Sequence, residues 1–95
     1  MNEKRVDYLK VNYSEGMLSD EYFINFKGSM ERGTGIGGEY TIERKSVIEK
    51  DKTNGLVKVV IAQKEEKTSN ILICGLKDVG CGAFFTVPNE ELVKI

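Results

Sequence analysis

The sequence predicts an all-β fold, a small antiparallel barrel or sandwich of about six strands with a short C-terminal helical turn. Residues that suit a pleated, half-buried surface (Val, Ile, Thr, Tyr and Phe) number 30 of 95, whereas the helix formers Ala and Leu number 8. Apolar and polar residues alternate over short runs, as half-buried strands require. Ten glycines and a single proline suit tight turns between such strands.

The length of 95 residues predicts one domain, spanning residues 1–95. The sequence contains neither an internal repeat nor a composition shift that would mark a linker. Small SH3-like or OB-like barrels are the natural analogies for six short strands. They are analogies of fold alone, since each of these folds hosts many functions.

Three alternating runs occupy the first half of the chain. Residues 5–13 predict the first strand and residues 22–27 the second, with a turn at residues 14–16 between them. Residues 39–48 predict the third strand. Its alternation falters at Lys45–Ser46, which favours a β-bulge at that point.

The second half contains three more strands. Asn54–Gly55 predicts a type I′ hairpin, because both central residues of that turn need a positive φ. The fourth strand, residues 56–63, has apolar residues on both faces, which predicts burial on both sides. After a polar turn at residues 65–70, residues 71–74 predict a central strand and residues 83–87 a sixth.

The C-terminal segment differs in composition from the strands before it. Asn89 can cap a short helical turn, with Glu90 and Glu91 in the first turn where the helix dipole favours acidic residues. A final short strand fits almost as well. In either case, the apolar residues after Glu91 would dock against the barrel.

Composition and charge exclude several classes of chemistry. Without histidine, the chain has no His general base, no His-containing triad and no His metal ligand. We therefore expect no catalysis, no metal and no cofactor. Fourteen Lys and Arg against fifteen Asp and Glu lack the basic excess that drives binding to a phosphate backbone.

No run approaches the roughly 20 apolar residues that span a bilayer, and no secretory signal follows Met1, which predicts a cytoplasmic protein without a membrane partner. In that compartment Cys74 and Cys81 would be free thiols, whereas a secreted protein could join them in one disulfide. A catalytic role for Cys81 is disfavoured because the chain has no histidine to activate it.

A glycine-rich loop is the best candidate for a ligand site. Residues 28–38 hold five of the ten glycines, and backbone amides in such a loop can converge on an anion. A strand follows the loop and it lacks a Gly-Lys-Ser/Thr ending, so it fits neither a dinucleotide fingerprint nor a P-loop. The competing interpretation is a plain connection between strands. The candidate ligand-binding residues are Arg32, Gly33, Thr34, Gly35, Gly37 and Gly38.

Protein recognition fits the remaining features best. Tyrosine is favoured where the ring is buried and the hydroxyl meets solvent. If Phe84 and Phe85 lie in a strand, their rings point to opposite faces, so one of them points away from the core of the protein. That ring either packs under the C-terminal segment or forms an apolar spot for a partner. The candidate interface residues are Tyr22, Tyr40, Arg44, Phe84 and Phe85.

The sequence thus predicts a non-catalytic binding module for protein recognition or homo-oligomeric assembly. Its size suits an inhibitor or accessory protein of a phage or mobile element. The alternative is binding of a nucleotide, another anion or nucleic acid through the loop 32–38 and a face formed by Tyr40, Arg44 and Lys45. Nearby acidic residues, Glu39 and Glu43 among them, would repel phosphates.

Overall fold

The structure, a computed structural model, describes residues 7–30, 39–77 and 84–94. Within these ranges the chain forms one nine-stranded antiparallel sheet that curls into a half-barrel, which confirms the all-β prediction. The strands are β1 (Asp7–Glu15), β2 (Glu21–Asn25), β3 (Ser29–Met30), β4 (Tyr40–Glu43), β5 (Val47–Glu49), β6 (Asn54–Lys64), β7 (Thr68–Ile73), β8 (Phe85–Pro88) and β9 (Leu92–Lys94).

The long strand β6 organises the sheet, whose order is β3-β8-β7-β6-β1-β2-β4. One side of β6 pairs with β1, and the other side pairs first with β5 and then with β7. Strand β1 is shared in the same way, since its beginning pairs with β9 and its end with β2. Because β1 and β6 each pair with three other strands, the sheet bends around its concave face.

The two ends of this bend meet beside β4. The segment that follows β7 pairs with β4 through a bridge between Ile42 and Leu76. The amide of Glu43 donates to the carbonyl of Gly75 at 3.0 Å, and the amide of Lys77 donates to the carbonyl of Thr41 at 2.8 Å. These bonds give hydrogen-bond partners to backbone groups at the outer edge of β4, and they hold the sheet in its curled shape.

Burial follows the strand alternation predicted from sequence. Leu9 and Val11 of β1 are buried while Lys10 between them is exposed. A single cluster occupies the concave side, with Phe85 fully buried at its centre. Phe26, Tyr40 and Phe85 pack ring against ring, with centroids 5.2 to 5.6 Å apart. The core therefore lies on one face of one sheet.

The predicted third strand is interrupted, and the expected bulge at Lys45–Ser46 is wrong. A 3₁₀ turn over Arg44–Ser46 separates β4 from β5. The reason is a change of partner, because β4 pairs with β2 whereas β5 pairs with β6. A one-residue bulge would have kept the strand on its original neighbour.

The predicted type I′ turn at Asn54–Gly55 is also wrong. Both residues belong to β6, and neither has a positive φ. The turn lies earlier, where the Asp51 carboxylate accepts hydrogen bonds from the amides of Thr53 at 2.9 Å and Asn54 at 2.8 Å. Those bonds lower the pKa of Asp51, the Thr53 amide contributing most. Gly55 is needed for close packing, because a Cβ there would lie 2.9 Å from the Ile48 carbonyl oxygen.

Other boundaries shift by a few residues. Residues 14–15 remain in β1, and the predicted polar turn at residues 65–70 ends before Thr68, where β7 begins. The prediction that both faces of the fourth strand are largely buried is wrong, since Lys58 and Val60 are exposed. Within the described residues, the sheet has no second layer to cover its outer face.

The C-terminal segment combines both predicted alternatives. A 3₁₀ turn over Asn89–Glu91 leads into β9, and Leu92 packs against the core. Asn89 is not the cap of this turn. Its side-chain amide donates instead to the carbonyls of Glu65 at 2.8 Å and Glu66 at 3.1 Å, which ties the β6–β7 turn to the end of the chain.

Truncation of the two adjacent phenylalanines will have unequal effects. Phe85→Ala opens a cavity in the middle of the core and lowers the free energy of unfolding by about 3–5 kcal/mol. Phe84→Ala removes a half-buried ring and costs about 1 kcal/mol. Urea denaturation of both variants measures the difference. Equal losses would show that Phe85 does not occupy the centre of the core.

Candidate functional site

The candidate ligand loop falls where the structure gives no description. Arg32, Gly33, Thr34, Gly35, Gly37 and Gly38 all lie outside the described residues, as does Cys81. Cys74 is a half-buried free thiol at the end of β7. The anion-binding hypothesis for the loop therefore stays a prediction.

The candidate interface residues separate into core and surface groups. Tyr22 and Phe85 are buried, and Tyr40 packs between Phe26 and Phe85. The guanidinium of Arg44 lies elsewhere, stacked on the Tyr22 ring with its carbon 4.0 Å from the ring centroid. Tyr40 and Arg44 thus serve two different clusters.

The cluster around Tyr22 joins four elements at one end of the half-barrel. The Tyr22 hydroxyl donates to the Glu49 carboxylate at 2.5 Å. Arg44 donates to Glu15 at 2.5 Å and to the carbonyl of Ser19 at 2.8 Å. The Tyr13 ring lies 4.8 Å from that of Tyr22, centroid to centroid. We call Tyr13, Glu15, Tyr22, Arg44 and Glu49 the end cluster.

Three groups of the end cluster, the phenols of Tyr13 and Tyr22 and the guanidinium of Arg44, have raised pKa values. The hydrogen bond to Glu49 raises the pKa of Tyr22, and burial followed by the charge of Glu49 raises that of Tyr13. The hydrogen bond to Glu15 raises the pKa of Arg44. Both phenols therefore remain protonated donors beside a charged guanidinium. Tyr13 donates to the backbone carbonyl of Asp51, Tyr22 to Glu49, and Arg44 to Glu15, so the end cluster joins separate elements of the sheet through internal hydrogen bonds.

A second polar contact reinforces the same end of the molecule. Glu21, which is buried, accepts a hydrogen bond from the Lys77 ammonium at 3.0 Å, and Asp20 lies 3.6 Å from the same ammonium. The bond to Glu21 raises the pKa of Lys77. This contact ties the β1–β2 turn to the segment that closes the curl against β4.

The outer face of the sheet carries apolar residues that lie outside the core cluster. On β6, Val57 and Val59 face the core, so Lys58 and Val60 point outward. Val60 is 51% exposed and pairs with Leu72 of β7. Ile71 pairs with Phe85, so one step further along the same register brings Phe84 beside Leu72. We call Val60, Leu72 and Phe84 the outer row.

Charge on this face differs between its central strands and the β2–β4 edge. On β1, β6, β7 and β8, with the β6 register shift between Ile61 and Gln63 taken into account, the charged outward positions are Lys10 and Lys58. On β2 and β4, where Tyr22 and Ile42 face the core, the outward positions include Glu21 and Glu43. The registers place Lys58 opposite Tyr8 and Lys10 opposite Leu56. Lys58 therefore lies two residues from Val60 on β6, and Lys10 lies farther from the outer row, on β1 opposite Leu56.

Comparison of the chain with protein-family models, with curated proteins and with solved structures finds no match. In the described ranges the helical segments are 3₁₀ turns of three residues, and no helix is long and apolar enough to cross a membrane.

Sequence reasoning missed both the end cluster and the outer row. The members of the end cluster come from separate elements, and no local pattern joins them. The outer row did leave a signal, because adjacent Phe84 and Phe85 require one outward ring. Its alignment with Val60 and Leu72 depends on strand register, which only the structure supplies.

The end cluster predicts that the folding stability of the chain falls at alkaline pH. The raised pKa values of Tyr13 and Tyr22 favour the protonated phenols in the folded chain. The stability they contribute is present below the ordinary pKa of 10.0 and is lost as pH rises through the folded values. Glu49→Gln removes the charge that contributes to both shifts, so phenolate absorbance at alkaline pH should develop at lower pH than in the wild-type chain. Glu90→Gln, an exposed change on another element, is the control. Identical titrations of E49Q and wild type would contradict the role of Glu49.

Proposed function

We propose that this chain is a non-catalytic binding module that recognises another protein through the outer row. The observation that carries the proposal is the exposure of Val60 in the middle of the sheet. Outward positions on a half-solvated antiparallel sheet are normally polar. Here an exposed Val adjoins Leu72 on the next strand and the ring of Phe84 beyond it.

The rigidity of the outer row supports a binding role. Its residues belong to or directly precede paired strands of the same sheet, so a partner would meet a surface that is already ordered. Burial of apolar surface contributes about 25 cal/mol per Å², and aromatic anchors at the centre of a patch contribute most in protein interfaces. Phe84 would be that anchor, with Val60 and Leu72 beside it.

The polar groups of the end cluster support binding over catalysis. A catalytic group must offer a proton, an acceptor or a lone pair to a substrate. Tyr22 and Arg44 instead donate to Glu49 and Glu15 within the chain. We place the module in the cytoplasm, where the thiol of Cys74 would stay reduced, and suggest the role of an inhibitor or accessory protein.

The alternative of anion or nucleic-acid binding is weakened at two residues of its predicted face, whereas the third, Lys45, is exposed. Arg44 is engaged by Glu15 and by the Ser19 carbonyl, and Tyr40 is packed in the core cluster. Anion binding by the loop at residues 32–38 stays a prediction, because these residues lie outside the described ranges.

Selection of peptides from a random display library tests the proposal. The wild-type chain should enrich peptides that Val60→Gln binds at least about tenfold more weakly, because the substitution places an amide at the centre of the apolar contact. Leu18→Gln is the matched control. It makes the same kind of change at an apolar residue that is 59% exposed but lies in the β1–β2 turn, and it should bind those peptides as wild type does.

Two outcomes would contradict the proposal. One is a selection in which no peptide distinguishes V60Q from wild type. The other is that V60Q and L18Q weaken peptide binding equally, which would indicate nonspecific hydrophobic binding. Thermal denaturation of both variants shows whether the fold is intact, and we expect both to melt near the wild-type temperature because both sites are solvent-exposed.

A further inference from the structure

We propose that Asn54 is a deamidation site that the folded chain protects and that opening of the β5–β6 turn makes reactive. Asn54 is followed by Gly55, and glycine has no Cβ to shield the backbone nitrogen that attacks the asparagine side chain. The Asn–Gly pair therefore carries a spontaneous chemistry that the turn and the strand pairing must hold in check.

The reaction needs no enzyme and no reagent other than water. The Gly55 nitrogen forms a bond to the side-chain carbonyl carbon of Asn54, the bond from that carbon to Nδ2 breaks, and Nδ2 leaves as ammonia with the proton of the Gly55 amide. Water then opens the resulting five-membered succinimide ring. Opening at one carbonyl gives aspartate at position 54, and opening at the other gives isoaspartate, in which the β-carbon has entered the backbone.

Hydrogen bonds hold the Asn54 side chain at both ends. Its Nδ2 donates to both oxygens of the Asp51 carboxylate, at 3.2 and 3.1 Å. Its Oδ1 accepts a hydrogen bond from the side-chain amide of Asn12 at 2.9 Å. The Asp51 carboxylate also accepts from the backbone amide of Asn54 at 2.8 Å. The leaving group is thus anchored on the turn, and the carbonyl carbon beside it turns toward Gly55 only after these bonds break.

The attacking nitrogen is held by the strand pairing. Gly55 is buried and pairs with Val11 of β1 and with Glu49 of β5. The carbonyl of Asn54 accepts from the amide of Lys50, on the β5 side, at 2.9 Å. Because backbone groups of successive strand residues point to opposite neighbours, those of Gly55 point to β1, opposite Val11. Ring closure therefore requires β6 to part from β1 at this position, since the Gly55 peptide must turn toward the Asn54 side chain.

The product of the reaction does not fit the turn. A carboxylate at position 54 replaces the Nδ2 donor with an acceptor, and it brings a second negative charge against Asp51 where Nδ2 now lies 3.1 to 3.2 Å away. Isoaspartate lengthens the backbone of β6 next to Gly55, where a Cβ would already lie 2.9 Å from the Ile48 carbonyl oxygen. Deamidation at Asn54 therefore converts an opening of this turn into a lasting loss of stability.

The rate of deamidation in folded and unfolded chains tests the protection. Incubation in mildly alkaline buffer followed by peptide mass spectrometry detects the replacement of the side-chain NH2 by OH. We expect the reaction at Asn54 to be at least about tenfold slower in the folded chain than in guanidinium chloride. Asp51→Ala should raise the folded-state rate about five- to tenfold, because it frees Nδ2 and removes the acceptor that holds the turn.

Glu66→Ala is the matched control for the rate measurement. It removes an exposed carboxylate from the β6–β7 turn and should leave the folded-state rate unchanged. In guanidinium chloride the wild-type chain and both variants should react alike. If circular dichroism shows D51A to be unfolded, Asn12→Ala takes its place, since it releases the exposed Oδ1 end of the Asn54 side chain.

The substitution Asn54→Asp measures the effect of the product on stability. It should lower the melting temperature by about 4–8 °C, because the Nδ2 donor is lost and a like charge faces Asp51. Asn25→Asp makes the same chemical change at an exposed asparagine of β2 and should melt near the wild-type temperature.

Three results would overturn the inference. Equal rates at Asn54 in the folded chain and in guanidinium chloride would show that the fold gives no protection. A folded variant, D51A or N12A, that reacts no faster than wild type would show that these side-chain bonds do not hold the site closed. Melting of N54D at the wild-type temperature would show that the product fits the turn.

Discussion

One constraint governs this molecule, namely that a single sheet must bury one face without a second layer. The sheet meets it by curling, so that alternate residues of β1, β6 and β7 meet on the concave side around Phe85. The long β6 makes the curl, because it carries β1 along one side and β5 followed by β7 along the other. On the convex side, Lys58 and Val60 are then exposed, whereas Leu56 is buried.

Polar contacts hold the ends of this curl together. The bond between Lys77 and Glu21 and the stacking of Arg44 on Tyr22 join segments that are far apart in sequence but adjacent where the sheet closes. These contacts engage the side chains of Tyr22, Arg44 and Lys77 within the chain.

Local patterns predicted the elements better than their connections. The alternation of Leu9 and Val11 located β1, because side-chain period is a property of the strand itself. The strand breaks at Arg44–Ser46 because β4 and β5 pair with different neighbours, and the local sequence does not indicate which strands pair. At the β5–β6 turn, the Asp51 carboxylate outweighed the Asn–Gly signal by capping two amides. The outer row needed the registers of three strands, so sequence supplied only Phe84 as a hint.

The most direct measurement is solvent accessibility of the β6 methyl groups by NMR with a soluble paramagnetic probe. An uncovered outer face predicts strong broadening of the Val60 methyls and little broadening of those of Val57 and Val59, which are 0% and 3% exposed. Equal protection of Val60 and Val59 would show that the outer face is covered in the free chain, and would contradict a single-layer sheet with an open docking surface.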